Sequence, residues 1–275
     1  MTMKDHAPYV LGSDAAEVAR LEGQARSIAA PTAALLQAAG IGEGMRVLDI
    51  GTGLGHVSLL LAELVGPSGE VVGIDADPRM LAHAEERRAA AGAGNVRYLE
   101  GDARTFRDPA PFDAIAERLV LFHLPDAVDV VRHHVEGLRP GGIFAAIDFD
   151  VGAARSEPPT PLAAQQVAWM LAAFRSAGAD PTIGTRLTGI LAAAGLEEIG
   201  GFGIQGYLPP GDPSGPPTIA GVTRSLAAQI VAAGIATEAE LGLDTLEQRL
   251  ADELRAAGAT VVLPTVSGAF GRRAA

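Results

Sequence analysis

Residues 47–55 read VLDIGTGLG, and the reading of this stretch decides the fold. Val47, Leu48 and Ile50 surround one acid, Asp49; then Gly51, Gly53 and Gly55 fall within five positions. Glycine costs roughly 0.5–1 kcal/mol against alanine in regular structure, so three in alternation call for a physical reason. A tight turn that lets a ligand approach bare backbone is such a reason. A strand ending at Ile50 and a helix starting near Gly55 would put that turn at the carboxyl end of a strand. Open α/β sheets bind ligands there, and the helix start offers N–H groups and partial positive charge to an anionic group. Asp75 lies twenty residues after Gly55, at the end of the next apolar run. A carboxylate at that place can accept hydrogen bonds from both hydroxyls of an adenosine ribose. Up to this point a dinucleotide-binding dehydrogenase fits as well as any other nucleoside-binding protein.

Outward from the turn, strand-like and helix-like runs alternate. Strands are predicted at 46–50, 70–74, 96–99, 112–117 and 142–148. Helices are predicted at 56–65, stopped by Gly66-Pro67; at 78–91, stopped by Gly92; and at 126–138, stopped by Pro140-Gly141-Gly142. Pro78 sits where a first-turn proline is tolerated, and Gly66 and Gly92 sit where helices end. Such alternation implies crossover connections and a mostly parallel sheet covered on both faces. A helical segment, 13–39, precedes it, capped by Ser13 or Asp14 and broken by Pro31. After Asp150 a proline-rich linker (157–161) leads to helical runs through 173 and at 186–194, then a strand at 196–204. Residues 208–217 hold five prolines and two glycines and are expected as loop. Helical segments at 218–233, 238–241 and 244–257 then lead to a last strand at 260–269. The expected organisation is a helical lid segment (1–39), a cofactor-binding core (40–150) and the rest of the sheet (151–275). Helical insertions for the acceptor are expected at 151–195 and 205–258.

Composition narrows the setting. The net charge is −12 and Lys4 is the only lysine, so a polyanion is repelled, which argues against nucleic acid or an anionic membrane as partner. The absence of cysteine excludes disulfides and thiolate metal sites. No window reaches the ~18 apolar residues of a membrane span, and MTMKDHAPYV has no apolar leader core, so a cytoplasmic protein is expected.

The glycine spacing separates the nucleoside binders. The dinucleotide fingerprint is G-x-G-x-x-G, whereas here His56 stands where the third glycine would fall, and Asp49 precedes the first by two. The pattern D-x-G-x-G-x-G resembles motif I of the class I S-adenosylmethionine-dependent methyltransferases. VVGIDADPRML resembles the second motif, with Asp75 as its acid, Ala76 beside it and Met80 as the adenine-packing residue. Asp102 in YLEGDARTF is similar to the acid that reads the adenine amino group, with the Ala103 backbone beside it. FDAIAERLVLFHLPD and LRPGGIFAAIDFD resemble the fourth and fifth strands. The likeness covers residues 9–150 and extends more weakly to the final AFGRR; it points to the small-molecule type, similar to the ubiquinone/menaquinone-biosynthesis group. It implies an α/β fold with a doubly wound, seven-stranded, mostly parallel sheet, Rossmann-like, with an antiparallel seventh strand at 260–269. It also implies S-adenosyl-L-methionine as cofactor, bound by Asp49, Gly51, Thr52, Gly53, Gly55, Asp75, Ala76, Met80, Asp102 and Ala103. Tyr9 and Gln24 would close over it. Glu117 and Arg118 fall at a strand end, facing the ligand crevice, and join that set.

Several of these residues have a second reading. The glycines could serve close packing, Met80 could be core, Asp102 could shape a Gly-Asp turn, and Glu117–Arg118 could be a surface pair. The reaction needs few groups, because the cofactor carries the difficult chemistry and the protein supplies placement. A base for the acceptor would be His123, after the fourth strand, or Asp148, ending the fifth. His123 as a packing or capping residue is the competing reading. His133-His134 read as a solvated helix face. No metal is expected, since no histidine pair has ligand spacing with a carboxylate partner. Trp169, Met170 and Phe174 lie on one helix and either line the acceptor cavity or pack a lid on the core. The expected partner is a small, largely apolar acceptor such as a natural-product intermediate, methylated on oxygen or nitrogen; a homodimer is left open. Rival classes are a cofactor-binding protein that no longer transfers methyl, such as a cyclase, and an enzyme acting on protein or RNA. A nicotinamide oxidoreductase is disfavoured by the glycine spacing.

Overall fold

The computed structural model describes residues 15–275, so Tyr9 lies outside the described residues. The chain forms two compact units. One gathers residues 25–154, 178–206 and 263–275; the other gathers 155–177 and 207–262 with the described residues up to 24.

The first unit is the α/β body. Strands β1 (Arg46–Ile50), β2 (Glu70–Asp75), β3 (Val96–Glu100), β4 (Phe112–Arg118) and β5 (Leu138–Asp150) run parallel in the order β3-β2-β1-β4-β5. Val47, Leu48, Ile50, Val71, Val72, Ile74, Ala114, Ile115 and Ala116 are all buried, the near-continuous apolar run that a sheet covered on both faces requires. Helices α2 (Ala29–Ala38), α3 (His56–Val65), α4 (Pro78–Ala91), α5 (Ala127–Val135) and α7 (Leu187–Ala193) belong to the same unit. The winding runs outward from β1 to β3, then returns to place β4 on the other side of β1, so the strand order reverses there. The expected antiparallel strand is present: residues 265–272 of β8 (Thr260–Arg272) pair with β5, and β7 (Glu197–Leu208) pairs with β8.

The second unit is mostly helical. It holds α6 (Pro161–Ser176), α8 (Gly215–Ala232), α9 (Glu238–Leu241) and α10 (Leu243–Ala257). Leu246, Leu250 and Leu254 form the buried stripe of α10, four residues apart, and Glu253 on the same helix accepts the Leu162 N–H at the start of α6. β6 (Arg155–Glu157) pairs with residues 260–262 at the start of β8. Helix α1 (Ala15–Ser27) starts in this unit, and its last residues, 25–27, belong to the α/β body.

Four local readings change. The sheet has eight strands, not seven, because β6 forms where the proline linker was expected to begin. The N-terminal helical segment breaks at Ile28 rather than at Pro31, which sits in the first turn of α2, where no intrahelical donor is needed. Helix α8 starts at Gly215, so Pro216 and Pro217 open it instead of extending the loop. Strand β5 starts earlier than expected, at Leu138, because Arg139–Gly142 are accommodated by a shift of register between Phe112 and Ala114.

Candidate active site

The ends of β1, β2, β3 and β4 meet one edge of the sheet: Ile50 stands beside Ile74 and Glu117, and Asp75 beside Glu100. The glycine turn leaves β1 at this edge, at the point of strand reversal, where an open sheet parts to form a crevice. Gly51, Gly53 and Gly55 have φ of 65°, 52° and 81°, all in the left-handed region. Their surroundings differ. A Cβ on Gly51 would stand 2.4 Å from Val120 Cγ2, and one on Gly55 would stand 2.5 Å from the Tyr98 hydroxyl. A Cβ on Gly53 would meet nothing nearer than the Gly51 carbonyl, at 4.0 Å. The common role expected for the three therefore divides. Gly51 and Gly55 let the turn pack against the protein, and Gly53 alone presents bare backbone to open space.

Asp49 anchors this turn from beneath. Its Oδ2 accepts from Thr52 Oγ1 at 2.8 Å and Ser58 Oγ at 2.5 Å, tying the turn to the first turn of α3. Burial pushes its carboxyl up to about 6 against those two hydroxyls, which lower it. Asp49 and Thr52 are both buried, so they shape the turn rather than face the crevice. Asp75 accepts the Gly53 N–H at 2.8 Å on Oδ2 and the Asp77 N–H at 2.9 Å on Oδ1. Each oxygen keeps a further acceptor site, and the carboxylate is only half-buried. Burial raises its pKa, opposed by those backbone N–H groups. Ala76 is exposed beside it, and Met80 is buried on α4.

The loop after β3 carries Asp102 and Ala103, both half-buried. Asp102 Oδ1 accepts the Arg104 N–H at 2.8 Å, so a turn-forming role coexists with any other. His133 Nε2 bonds the Phe106 carbonyl at 2.9 Å and His134 Nε2 bonds the Ala103 carbonyl at 2.7 Å. A carbonyl can only accept, so both imidazoles donate. The reading of His133-His134 as a solvated face is therefore wrong for His134, which is 3% exposed and driven by burial down to about 4. Helix α5 uses the pair to clasp the 103–106 loop.

Beyond β4 the chain turns sharply. Leu119 has φ 61°, a left-handed backbone for a residue with a Cβ, and the 3-10 turn Leu121–His123 follows. Glu117 Oε2 accepts the N–H groups of Val120 and Leu121, at 3.1 and 3.4 Å, and Oε1 accepts that of Ile147 at 3.1 Å. Asp148 Oδ2 accepts the Phe122 N–H at 2.9 Å. Sequence reasoning had Glu117 facing the crevice and Asp148 meeting the acceptor. The structure turns both inward: they are 1% and 0% exposed, and their bonds go to the backbone of the turn and of β5. Nothing in the sequence announced this, because the accepted N–H groups come from the turn after β4 and from a second strand, β5. Burial raises Glu117 to about 8, helped by the charge of Asp49, and raises Asp148 well above its ordinary value, helped by the charge of Glu117. His123, half-buried, ends the turn those carboxylates hold. Arg118 is half-buried at the end of β4 and donates to Thr32 Oγ1 at 3.2 Å. Gln24, on α1, pairs with Arg20 at 3.4 Å and belongs to the other unit. Trp169 and Phe174, also in that unit, are half-buried, and Met170 is buried.

The methyltransferase domain family matches residues 41–195, more than half of the chain. Over 125 residues the chain is 36% identical to protein-L-isoaspartate O-methyltransferase of Ignicoccus hospitalis, covering 44% of this chain and 56% of that protein. Over 132 residues it is 33% identical to the ubiquinone/menaquinone biosynthesis C-methyltransferase of Ectopseudomonas mendocina, covering 47% and 49%. The matches span about half the length of these curated relatives. Among solved structures, a putative methyltransferase from Bacillus halodurans superposes with a TM-score of 0.57 at 20% identity, covering 89% of this chain and 99% of that one, a likeness of fold. Among the described residues no helix is long and apolar enough to cross a membrane. With the acid-glycine turn, the reversal of strand order beside it and the family match over 41–195, the chain belongs to the class I methyltransferases, whose cofactor is S-adenosylmethionine.

Proposed function

We propose that this chain transfers a methyl group from S-adenosylmethionine to a small, largely apolar acceptor, at oxygen or nitrogen. One observation carries the reading: Gly53 opens onto free space while its N–H is fixed by Asp75, so bare backbone and a carboxylate with spare acceptor sites share one crevice. That cradle fits a nucleoside with a charged amino-acid tail. Asp75 holds the ribose hydroxyls, Ala76 and Met80 flank the base, and Asp102 with the Ala103 backbone reads its amino group. Gly51, Gly55, Asp49 and Thr52 hold the turn in shape. Bound there, the cofactor supplies a methyl group on a sulfonium, itself a good leaving group. The chain's own task is orientation, worth up to about 7–11 kcal/mol for well-aligned reactants. His123 polarises the acceptor's hydroxyl or amine. Asp148 and Glu117 fix the turn that presents His123, which makes them positioning residues. The named relatives act on a protein and in quinone biosynthesis, and the acidic net charge of this chain disfavours a polyanionic acceptor such as RNA.

Calorimetry with S-adenosylhomocysteine tests the cofactor site directly, and binding by the wild type is expected. Asp75→Asn should weaken it by about 10- to 100-fold, the loss of hydrogen bonds to a charged group. Incubation with labelled S-adenosylmethionine and a panel of apolar phenols, carboxylic acids and amines then tests transfer. Absence of binding would end the reading. Binding without demethylated product on any small molecule, protein or RNA would leave the cofactor-binding, non-methylating alternative in its place.

A further inference from the structure

Arg118 ends β4 beside the glycine turn, one residue past Glu117, which stands opposite Ile50. A guanidinium has five N–H donors. Among the described residues Arg118 places one of them, Nη1, on Thr32 Oγ1 at 3.2 Å. Thr32 is fully buried on α2 and gives its own hydroxyl proton to the Ile28 carbonyl at 2.6 Å, so its oxygen is committed to accepting from the arginine. A neutral hydroxyl orients the guanidinium without forming an ion pair with it.

Other arginines of this unit behave differently. Arg46 meets Glu70 and Asp108, and Arg97 meets the same two acids. Among the described residues no carboxylate lies within ion-pair distance of Arg118. The charge of Asp49 acts on it from beyond ion-pair distance, and Asp49 Oδ2 is already occupied by Thr52 and Ser58. Burial also lowers the proton affinity of Arg118, the mark of a cation removed from water without a partner. A half-buried cation, aimed and mostly unpaired, is suited to an anionic ligand. Its planar fork matches a carboxylate. A single cation suits the single charge of a carboxylate better than a dianionic phosphate, the more so with the Asp75 carboxylate at the same edge.

We propose that Arg118, oriented by Thr32, is the carboxylate-binding residue of this site. The carboxylate is either the amino-acid end of the cofactor or one borne by the acceptor. The inference rests on the cofactor reading above for its first source and stands apart from it for the second.

The test uses the full chain as wild type, Arg118→Gln, Arg118→Lys and Thr32→Val. In the first arm, S-adenosylhomocysteine and its decarboxylated analogue are titrated by calorimetry. If the cofactor is the source, the wild type prefers the carboxylated form by about 10- to 100-fold, and Arg118→Gln prefers it by less than about threefold. Arg118→Lys falls between, since it keeps the charge without the fork. In the second arm, benzoate is titrated into cofactor-free and S-adenosylhomocysteine-loaded protein. If the acceptor is the source, benzoate binds the wild type and not Arg118→Gln, while the two cofactor forms are affected alike. Should Arg118→Gln fail to fold, Thr32→Val, which removes only the orienting oxygen, reads the same preferences with a smaller drop. Equal behaviour of wild type and variants in both arms overturns the proposal. If S-adenosylhomocysteine binds no form of the protein, the cofactor reading fails, and the benzoate arm on cofactor-free protein still decides this one.

Discussion

Two halves of one sheet edge use similar residues in opposite ways. At the ends of β1 and β2 side chains are withdrawn: Gly53 faces open space, and Asp75 stays half-buried with acceptor sites to spare. At the ends of β4 and β5 the carboxyls of Glu117 and Asp148 are fully enclosed and accept four backbone N–H groups, with only Asp148 Oδ1 left over, itself buried. An acid at the end of a parallel strand is therefore not a ligand contact by position alone. What decides is whether neighbouring backbone donors consume it first. The first half is built to receive a molecule; the second is built to hold a strained turn in place.

The comparison breaks most visibly at the glycines. Gly55→Val would drive a side chain into the Tyr98 hydroxyl and Ala84 Cβ, at 2.5 and 3.0 Å, from a backbone with φ 81°. Overpacking and a forbidden backbone together cost about 3 kcal/mol or more, enough to lose a large part of the stability of a domain. A thermal melt should show a collapse or large fall in Tm. Gly53→Ala meets no such wall, so it should cost only about 1–2 kcal/mol for the left-handed backbone while lowering cofactor affinity measured by calorimetry. If Gly53→Ala instead melts like Gly55→Val, the open face assigned to Gly53 does not exist.

The enclosed half should reveal itself through pH. Glu117 and Asp148 hold protons in the native state that the unfolded chain has already released. Native protein thus binds more protons than unfolded protein between the ordinary carboxyl range and about 8. Stability from the pair is fully present below that range and is lost as pH rises toward about 8. Asp148→Asn keeps the acceptor for Phe122 N–H and removes one of the two titrating carboxyls. Its Tm should fall less than that of the wild type between pH 5 and about 8, a difference of several degrees at the upper end. Parallel curves for the two proteins would show that the pair does not share its burden.

Much of the first half was legible because its signals are local. The stops at Gly66-Pro67 and Gly92, the proline at position 78 and the apolar runs fix α3, α4, β1 and β2 within a residue of where they lie. The need for glycine at 51, 53 and 55 was legible too, but not its division, since Val120 comes from the turn after β4 and Tyr98 from β3. The second half was opaque for the same reason. Glu117 serves an N–H thirty residues away on β5, and no spacing in the chain encodes that partner. Pro31 misled because a proline in a first turn and a proline that ends a helix look alike until the residue before the helix, here Ile28, takes its conformation.

The smallest effect is expected where the first half depends on a helix that never reaches the crevice. His134 donates to the Ala103 carbonyl, and His133 to that of Phe106, so α5 sets the position of the loop assigned to the adenine. His134→Phe keeps the ring's bulk and deletes the donor, at a cost of about 1–2 kcal/mol in stability. If the clasp positions Asp102 and Ala103, KM for S-adenosylmethionine should rise about fivefold with kcat within about twofold, because ordered binding and not chemistry has been loosened. His134→Gln, which can still donate from its amide, should recover part of the loss. The imidazole adds its own signature, since burial holds it at about 4. The unfolded chain takes up that proton first as pH falls below its ordinary range, so the wild type loses stability on acidification toward about 4. His134→Phe should flatten this acid limb. A variant that changes Tm but neither KM nor the acid limb would make His134 a core residue with no bearing on the loop it touches.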